Sequence, residues 1–265
     1  MKRALVPLLL FAAALLSACA GKQAAPAEYQ PVRQLPPQPQ EVSPKTRAQL
    51  HTDLATGYYE RGQMDVALQE LGEAVVLDPT YAQAYNVYGL VYTVLREDAK
   101  AQQNFERALS LAPNDPEIHH NWGWYLCAHK REREALAQFD LAIRDPLYRT
   151  PEIALVNAGR CAQELGETRM AEQYFRRALS SQPGNALASY GLAVIAYKEG
   201  RYPDARAYMR AVMQTNSPAP ESLYLGMCVE RKLGDRQAEL SYVSQLRNRY
   251  PKSAETEAIN ADRCE

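Results

Sequence analysis

What most constrains this chain is that it repeats itself every 34 residues. Pro79 and Pro113 are 34 apart and Pro183 and Pro251 are 68 apart; the 70 between Pro113 and Pro183 is two periods plus a two-residue insertion near Asp145-Pro146. The same register aligns Ala67, Ala101, Ala135, Ala171 and Ala205. Four residues further on stand Leu71, Phe105, Phe139, Phe175 and Met209, and three beyond those Ala74, Ala108, Ala142, Ala178 and Val212. Gly89, Gly123 and Gly159 share an upstream position. Self-similarity at this period means an array, in which each unit packs against its neighbours.

The pattern resembles the tetratricopeptide repeat, a helix–turn–helix unit. Small Ala and Gly let the two helices of a unit approach closely. The Leu/Phe/Met position fills the gap between units, and proline ends the second helix. Short glycine turns at Arg61-Gly62-Gln63, Leu165-Gly166-Glu167 and Glu199-Gly200-Arg201 separate the helices. The expected fold is all-α: a right-handed superhelical solenoid of about six units, starting near residues 48, 82, 116, 152, 186 and 219. Ala254 to Cys264 forms a capping helix. Gly191 and Gly226 look out of phase with the helices that follow them, which makes the last two units less regular. An ordinary helical bundle with coincidental spacing is the competing architecture.

Ahead of the repeats lies an address. Met1-Lys2-Arg3 is followed by an uncharged, mostly apolar run from Ala4 to Ala18. At 15 residues it is short for a membrane span and suits a secretory signal core. Leu16-Ser17-Ala18-Cys19 resembles the bacterial lipobox, which implies cleavage before Cys19 and acylation of that residue. The alternative is a plain cleavable signal with Cys19 incidental. Several acyl chains anchor firmly, since each buried methylene adds roughly 0.8 kcal/mol. Ala20, rather than Asp, follows Cys19, and by resemblance to lipoprotein sorting rules this implies the periplasmic face of a Gram-negative outer membrane. Residues 19–44 carry Pro26, Pro31, Pro36, Pro37, Pro39 and Pro44 and read as an extended tether. The expected division is 1–18 signal, 19–44 tether and 45–265 repeat domain.

No Gly-x-Ser-x-Gly elbow, phosphate loop, His-Glu-x-x-His pair or calcium loop occurs. His119 and His120 are adjacent, so on a helix they diverge and poorly share a metal. No catalytic residue, metal or cofactor is therefore assigned, and the chain is not read as an enzyme. Thirty Lys plus Arg against 31 Asp plus Glu leave no basic excess for nucleic acid. Cys127 and Cys161 are one repeat apart on neighbouring first helices, and Cys228 and Cys264 are 36 apart. Bridges across each pair suit an oxidising compartment and would each contribute about 3–4 kcal/mol. Four buried free thiols are the alternative.

His120-Asn121-Trp122-Gly123-Trp124-Tyr125-Leu126-Cys127, with Asn157-Ala158-Gly159-Arg160-Cys161 one unit later, resembles the pilotin lipoproteins of type IV pili, the PilF/PilW family. That family combines a lipobox, a proline-rich tether and six such repeats with cysteines in the third and fourth. The resemblance implies a role in bringing secretin subunits to the outer membrane and assembling them. A different outer-membrane scaffold, serving β-barrel assembly or peptidoglycan-processing enzymes, is the alternative. Repeat position nominates Thr52, Tyr59, Asn86, Leu90, Thr93, Val94, Trp124, Val156 and Arg160 for a peptide groove on the first helices. Leu90, Val94 and Tyr59 would make that groove apolar, so a secretin segment is expected on the first two or three units. Charge at Leu90 or Tyr59 would then abolish binding without loss of stability. Asn86 is read as a ligand contact, Asn121 and Asn157 as bonds between helices.

Overall fold

The computed structural model describes residues 42–260 and 264. The signal segment, Cys19 and the tether through residue 41 lie outside the described residues, as do residues 261–263 of the expected cap. Among the described residues there are thirteen helices and no strand. They pair as six antiparallel hairpins: α1 (Pro44–Glu60) with α2 (Met64–Leu77), α3 (Ala82–Val94) with α4 (Asp98–Leu111), α5 (Pro116–Ala128) with α6 (Glu132–Arg144), α7 (Pro151–Glu164) with α8 (Thr168–Ser181), α9 (Ala186–Lys198) with α10 (Tyr202–Met213), and α11 (Pro220–Leu233) with α12 (Arg236–Arg249). α13 (Ala254–Asn260) packs on α11 and α12. The array is a tetratricopeptide-repeat solenoid.

Proline does two jobs at these boundaries. Pro79, Pro113, Pro146, Pro183 and Pro251 each follow an even-numbered helix by two residues, where the next turn would lack a donor. Pro44, Pro116, Pro151 and Pro220 instead occupy first turns, where a missing N–H costs nothing. Pro44 therefore begins α1, capped by the Ser43 hydroxyl, which accepts from the Thr46 N–H at 3.1 Å. The repeat domain starts there, one residue before the boundary drawn from composition. Within each hairpin the chain reverses through one left-handed residue at positions 62, 96, 130, 166, 200 and 234. Four are glycine, but Arg96 and Lys130 hold the same turn at φ 61°.

Close approach is secured by a glycine–aromatic lock. A Cβ on Gly89, Gly123 or Gly159 would come within 2.7, 3.0 and 2.6 Å of the rings of Phe105, Phe139 and Phe175, each sixteen residues later. Gly226 meets Tyr242 at the same spacing and at 2.7 Å, so the sixth unit is in phase, contrary to expectation. In the fifth unit Ala193 takes the small position opposite Met209, and both are buried. Gly191 is not part of that lock; it faces back onto Phe175 of the preceding unit, 2.4 Å from where its Cβ would stand. All three phenylalanines are fully buried.

The layers differ. Each odd-numbered helix packs on the next odd-numbered one, and each even-numbered helix on the odd-numbered helix that follows. No Cα of an even-numbered helix comes within 8 Å of another even-numbered helix among the described residues. Long side chains reach across, as where the Tyr174 hydroxyl donates to Asp140 Oδ1 at 2.9 Å. Burial, then this carboxylate, push the Tyr174 phenol up to about 12. The odd-numbered helices thus form the tighter, inner layer, and the six-residue connection 145–150 carries the two-residue insertion.

Candidate functional site

Two disulfides lie on this inner layer. Cys127 of α5 is bonded to Cys161 of α7, with Cα atoms 5.9 Å apart, and Cys228 of α11 to Cys264 beyond α13, at 5.5 Å. Beside the first, three polar groups knit α5, α7 and the 145–150 connection together. The Asn157 amide donates to His120 Nε2 at 2.9 Å, which leaves the proton on Nδ1 to be donated to the Tyr148 hydroxyl, also at 2.9 Å. Burial lowers the His120 pKa to about 4, so the ring is neutral.

Of the residues expected to line a groove, four face inward. Thr52, Asn86, Thr93 and Val156 are buried. The Thr52 and Thr93 hydroxyls donate to the carbonyls of Ala48 at 2.9 Å and Gly89 at 2.7 Å, one turn back. Asn86 accepts from Asn121 Nδ2 at 3.2 Å and donates to Gln83 Oε1 at 3.0 Å, so it links α3 to α5, and its burial keeps it from a ligand. Asn121 and Asn157 both bond between helices. The reason for the correction is geometric: successive inner helices press together, and these positions fall on the shared side. Tyr59 and Leu90 are half-buried, packed on the cores of the first two units and of the central units. A charge at either would disturb packing, so unchanged stability is not expected there. Val94, Trp124 and Arg160 are exposed.

The cavities lie further along the array. One of about 460 Å³ separates α7 from α9, one of about 640 Å³ reaches from α7 over α9 to the start of α11, and one of about 380 Å³ opens between α9, α11 and α13. Arg160 and Gln163 line the first two, Tyr190 and Glu221 the last two, and Val194 and Lys198 the first and third. They form one groove across units four to six. Trp124 and Arg160 line a smaller neighbouring cavity of about 90 Å³ with Asn157. Arg160 is the one expected groove residue that lines the groove itself.

The wall of the groove is α9, whose thirteen residues include a single charged one, Lys198. Its core side buries Ala188, Leu192, Ala193, Ile195 and Ala196. Its opposite side, Leu187, Tyr190, Val194 and Tyr197, follows the helical spacing three, four, three and is incompletely covered. A helix apolar on every side is normally enclosed. That composition was the available signal for this surface, and repeat position alone had passed it over. No cluster of His, Cys, Asp and Glu that could hold a metal ion occurs among the described residues, and no described helix is long and apolar enough to cross a membrane.

Comparison with known proteins agrees with this architecture. Residues 57–93, 82–115 and 156–220 match models of the tetratricopeptide repeat. The chain is 27% identical over 213 residues to the type IV pilus assembly protein PilF of Pseudomonas aeruginosa, a match covering 80% of this chain and 84% of that protein. Among solved structures it is similar to PilW, described as a widely conserved type IV pilus biogenesis factor, at 33% identity and a TM-score of 0.73. That similarity covers 80% of this chain and 98% of PilW. The structure of Pseudomonas aeruginosa PilF matches at 26% identity and a TM-score of 0.77, over 83% of this chain and 99% of that one.

Proposed function

This chain belongs to the PilF/PilW family of tetratricopeptide-repeat type IV pilus biogenesis proteins, and we propose that it acts there as a pilotin. In this reading it is a lipid-anchored carrier, not an enzyme, that binds secretin subunits and promotes their assembly in the outer membrane. The observation that carries the reading is the match along almost the whole length of PilW and PilF. The lipobox-like Leu16–Cys19 and the proline-rich segment behind it supply the anchor and the reach.

The physical role follows from confinement. A carrier fixed at the inner leaflet of the outer membrane holds its cargo in a thin layer, which raises the effective concentration of subunits for one another. The inner layer of odd-numbered helices provides the grip, as repeat arrays do for extended or helical segments. The test is a Cys19→Ala variant in cells. Expected are release of the protein from the outer membrane and secretin that stays monomeric on gels, although the variant still co-purifies with secretin. Wild-type amounts of secretin multimers with an unanchored carrier would refute the reading.

A further inference from the structure

The groove over units four to six has a charge pattern as well as an apolar wall. At its α7 end, Glu164 is held by Lys130 at 2.9 Å and Glu199 by Arg201 at 2.6 Å. Arg160 has no ion-pair partner among the described residues, so this end carries free positive charge; Lys198, likewise without one, lines both this cavity and the one under α13. At the other end Glu221 of α11 and Glu255 of α13 line the same cavity and have no partner among the described residues either. Both act on the Tyr190 phenol, whose pKa is raised first by burial and then by these two carboxylates. Between the poles lie Leu187, 64% exposed, with Tyr190, Val194 and Tyr224.

Free charges of opposite sign at the two ends of an apolar groove select an oriented occupant. Apolar patches bounded by polar residues mark partner surfaces, and complementary charge fixes the register of what binds. A fatty acid would satisfy the cation but leave both carboxylates unpaired beside an apolar tail. We infer that this groove docks a polypeptide segment of aromatic or branched apolar residues, with a carboxylate set toward Arg160 and a lysine or arginine set between Glu221 and Glu255. The inference deepens the carrier reading and rests on it for the notion that the cargo is a protein. It places the grip in units four to six, not in the first units.

The experiment pans phage-displayed random dodecapeptides on the acylated full-length protein in detergent micelles, and on two variants, Arg160→Glu and Glu221→Lys with Glu255→Lys. These side chains have no described partners, so the folded array is expected to persist, checked by circular dichroism. On the wild type, enriched peptides should pair Lys or Arg with a neighbouring aromatic or aliphatic residue and carry an acidic residue at the other end. Their affinity should fall at least about tenfold on either variant. Capture of secretin by the wild type is measured in parallel. Its absence alongside charge-dependent peptides would remove the pilotin reading and leave the groove assignment standing. No enrichment, enrichment equal on all three proteins, or a wild-type dimer that the charge reversals convert to monomer would overturn the assignment, the last giving the groove to a second copy of the chain.

Discussion

Replacing Gly191 by Ala should reverse the usual sign of that substitution. In a helix interior Gly→Ala is favourable by about 1 kcal/mol. At Gly191 the new methyl would stand 2.4 Å from Phe175 Cζ and 2.5 Å from Cε2, more than an ångström inside ordinary carbon contact at about 3.5–4.0 Å. The ring cannot retreat, because Gly159 supports its other edge, where a Cβ would lie 2.6 Å from Cε1. Overpacking of a closed site costs about 1–3 kcal/mol, and a ring held from both sides belongs at the upper end. The net expectation is a loss of about 2 kcal/mol, seen as a melting temperature lower by about 4–8 °C for an array of this size. Gly57→Ala is the control, since nothing lies within 4 Å of its Cβ, and it should stabilise by about 0.5–1 kcal/mol. Combining Gly191→Ala with Phe175→Leu should recover about 1 kcal/mol or more relative to the sum of the single changes. The assay is urea unfolding by far-UV circular dichroism with both disulfides intact, read as midpoint shifts at constant slope. A Gly191→Ala protein as stable as the wild type, beside a stabilised Gly57→Ala, would refute the account of how these units seat on one another.

Two further outcomes follow from groups beside that junction. Removing the Cys127–Cys161 bridge by Cys127→Ala with Cys161→Ala reopens a 34-residue loop in the unfolded chain and should cost about 4 kcal/mol. The check is urea unfolding against the reduced wild type; equal stability of all forms would contradict the assignment of the bridge. For His120 the folded pKa of about 4 lies below the free value of 6.5. The unfolded chain therefore takes up the proton first, and this contribution is complete above pH 6.5 and lost as pH falls toward 4. The loss should be at most about 3 kcal/mol across that window, and His120→Gln should flatten it. A stability profile of His120→Gln parallel to that of the wild type would exclude this origin.

The periodic residues were legible because packing between identical units demands the same side chain at the same place. Ala67 to Ala205 and the three phenylalanines occupy the contacts their spacing implied. The Gly226–Tyr242 pairing was obscured because tyrosine replaces the expected Leu, Phe or Met. The turns at Arg96 and Lys130 carried no signal, since neither residue is one that favours a left-handed backbone. The groove residues were the least legible. Which side of a first helix stays open depends on the rotation between successive units, and a linear register does not contain that rotation. Asn86 shows the consequence: its amide is consumed by Gln83 and Asn121, the latter 35 residues away.

Because successive odd-numbered helices touch through their backbones and successive even-numbered ones among the described residues do not, this array is stiffer toward one side than the other. Spreading successive even-numbered helices apart parts no backbone contact between them, although each stays seated on the odd-numbered helix that follows, whereas shearing the odd-numbered ones disturbs the core. The covalent strut between α5 and α7 then makes the stiffness uneven along the length. The junction of units three and four is the fixed point, and bending under load concentrates at the unbridged junctions on either side of it.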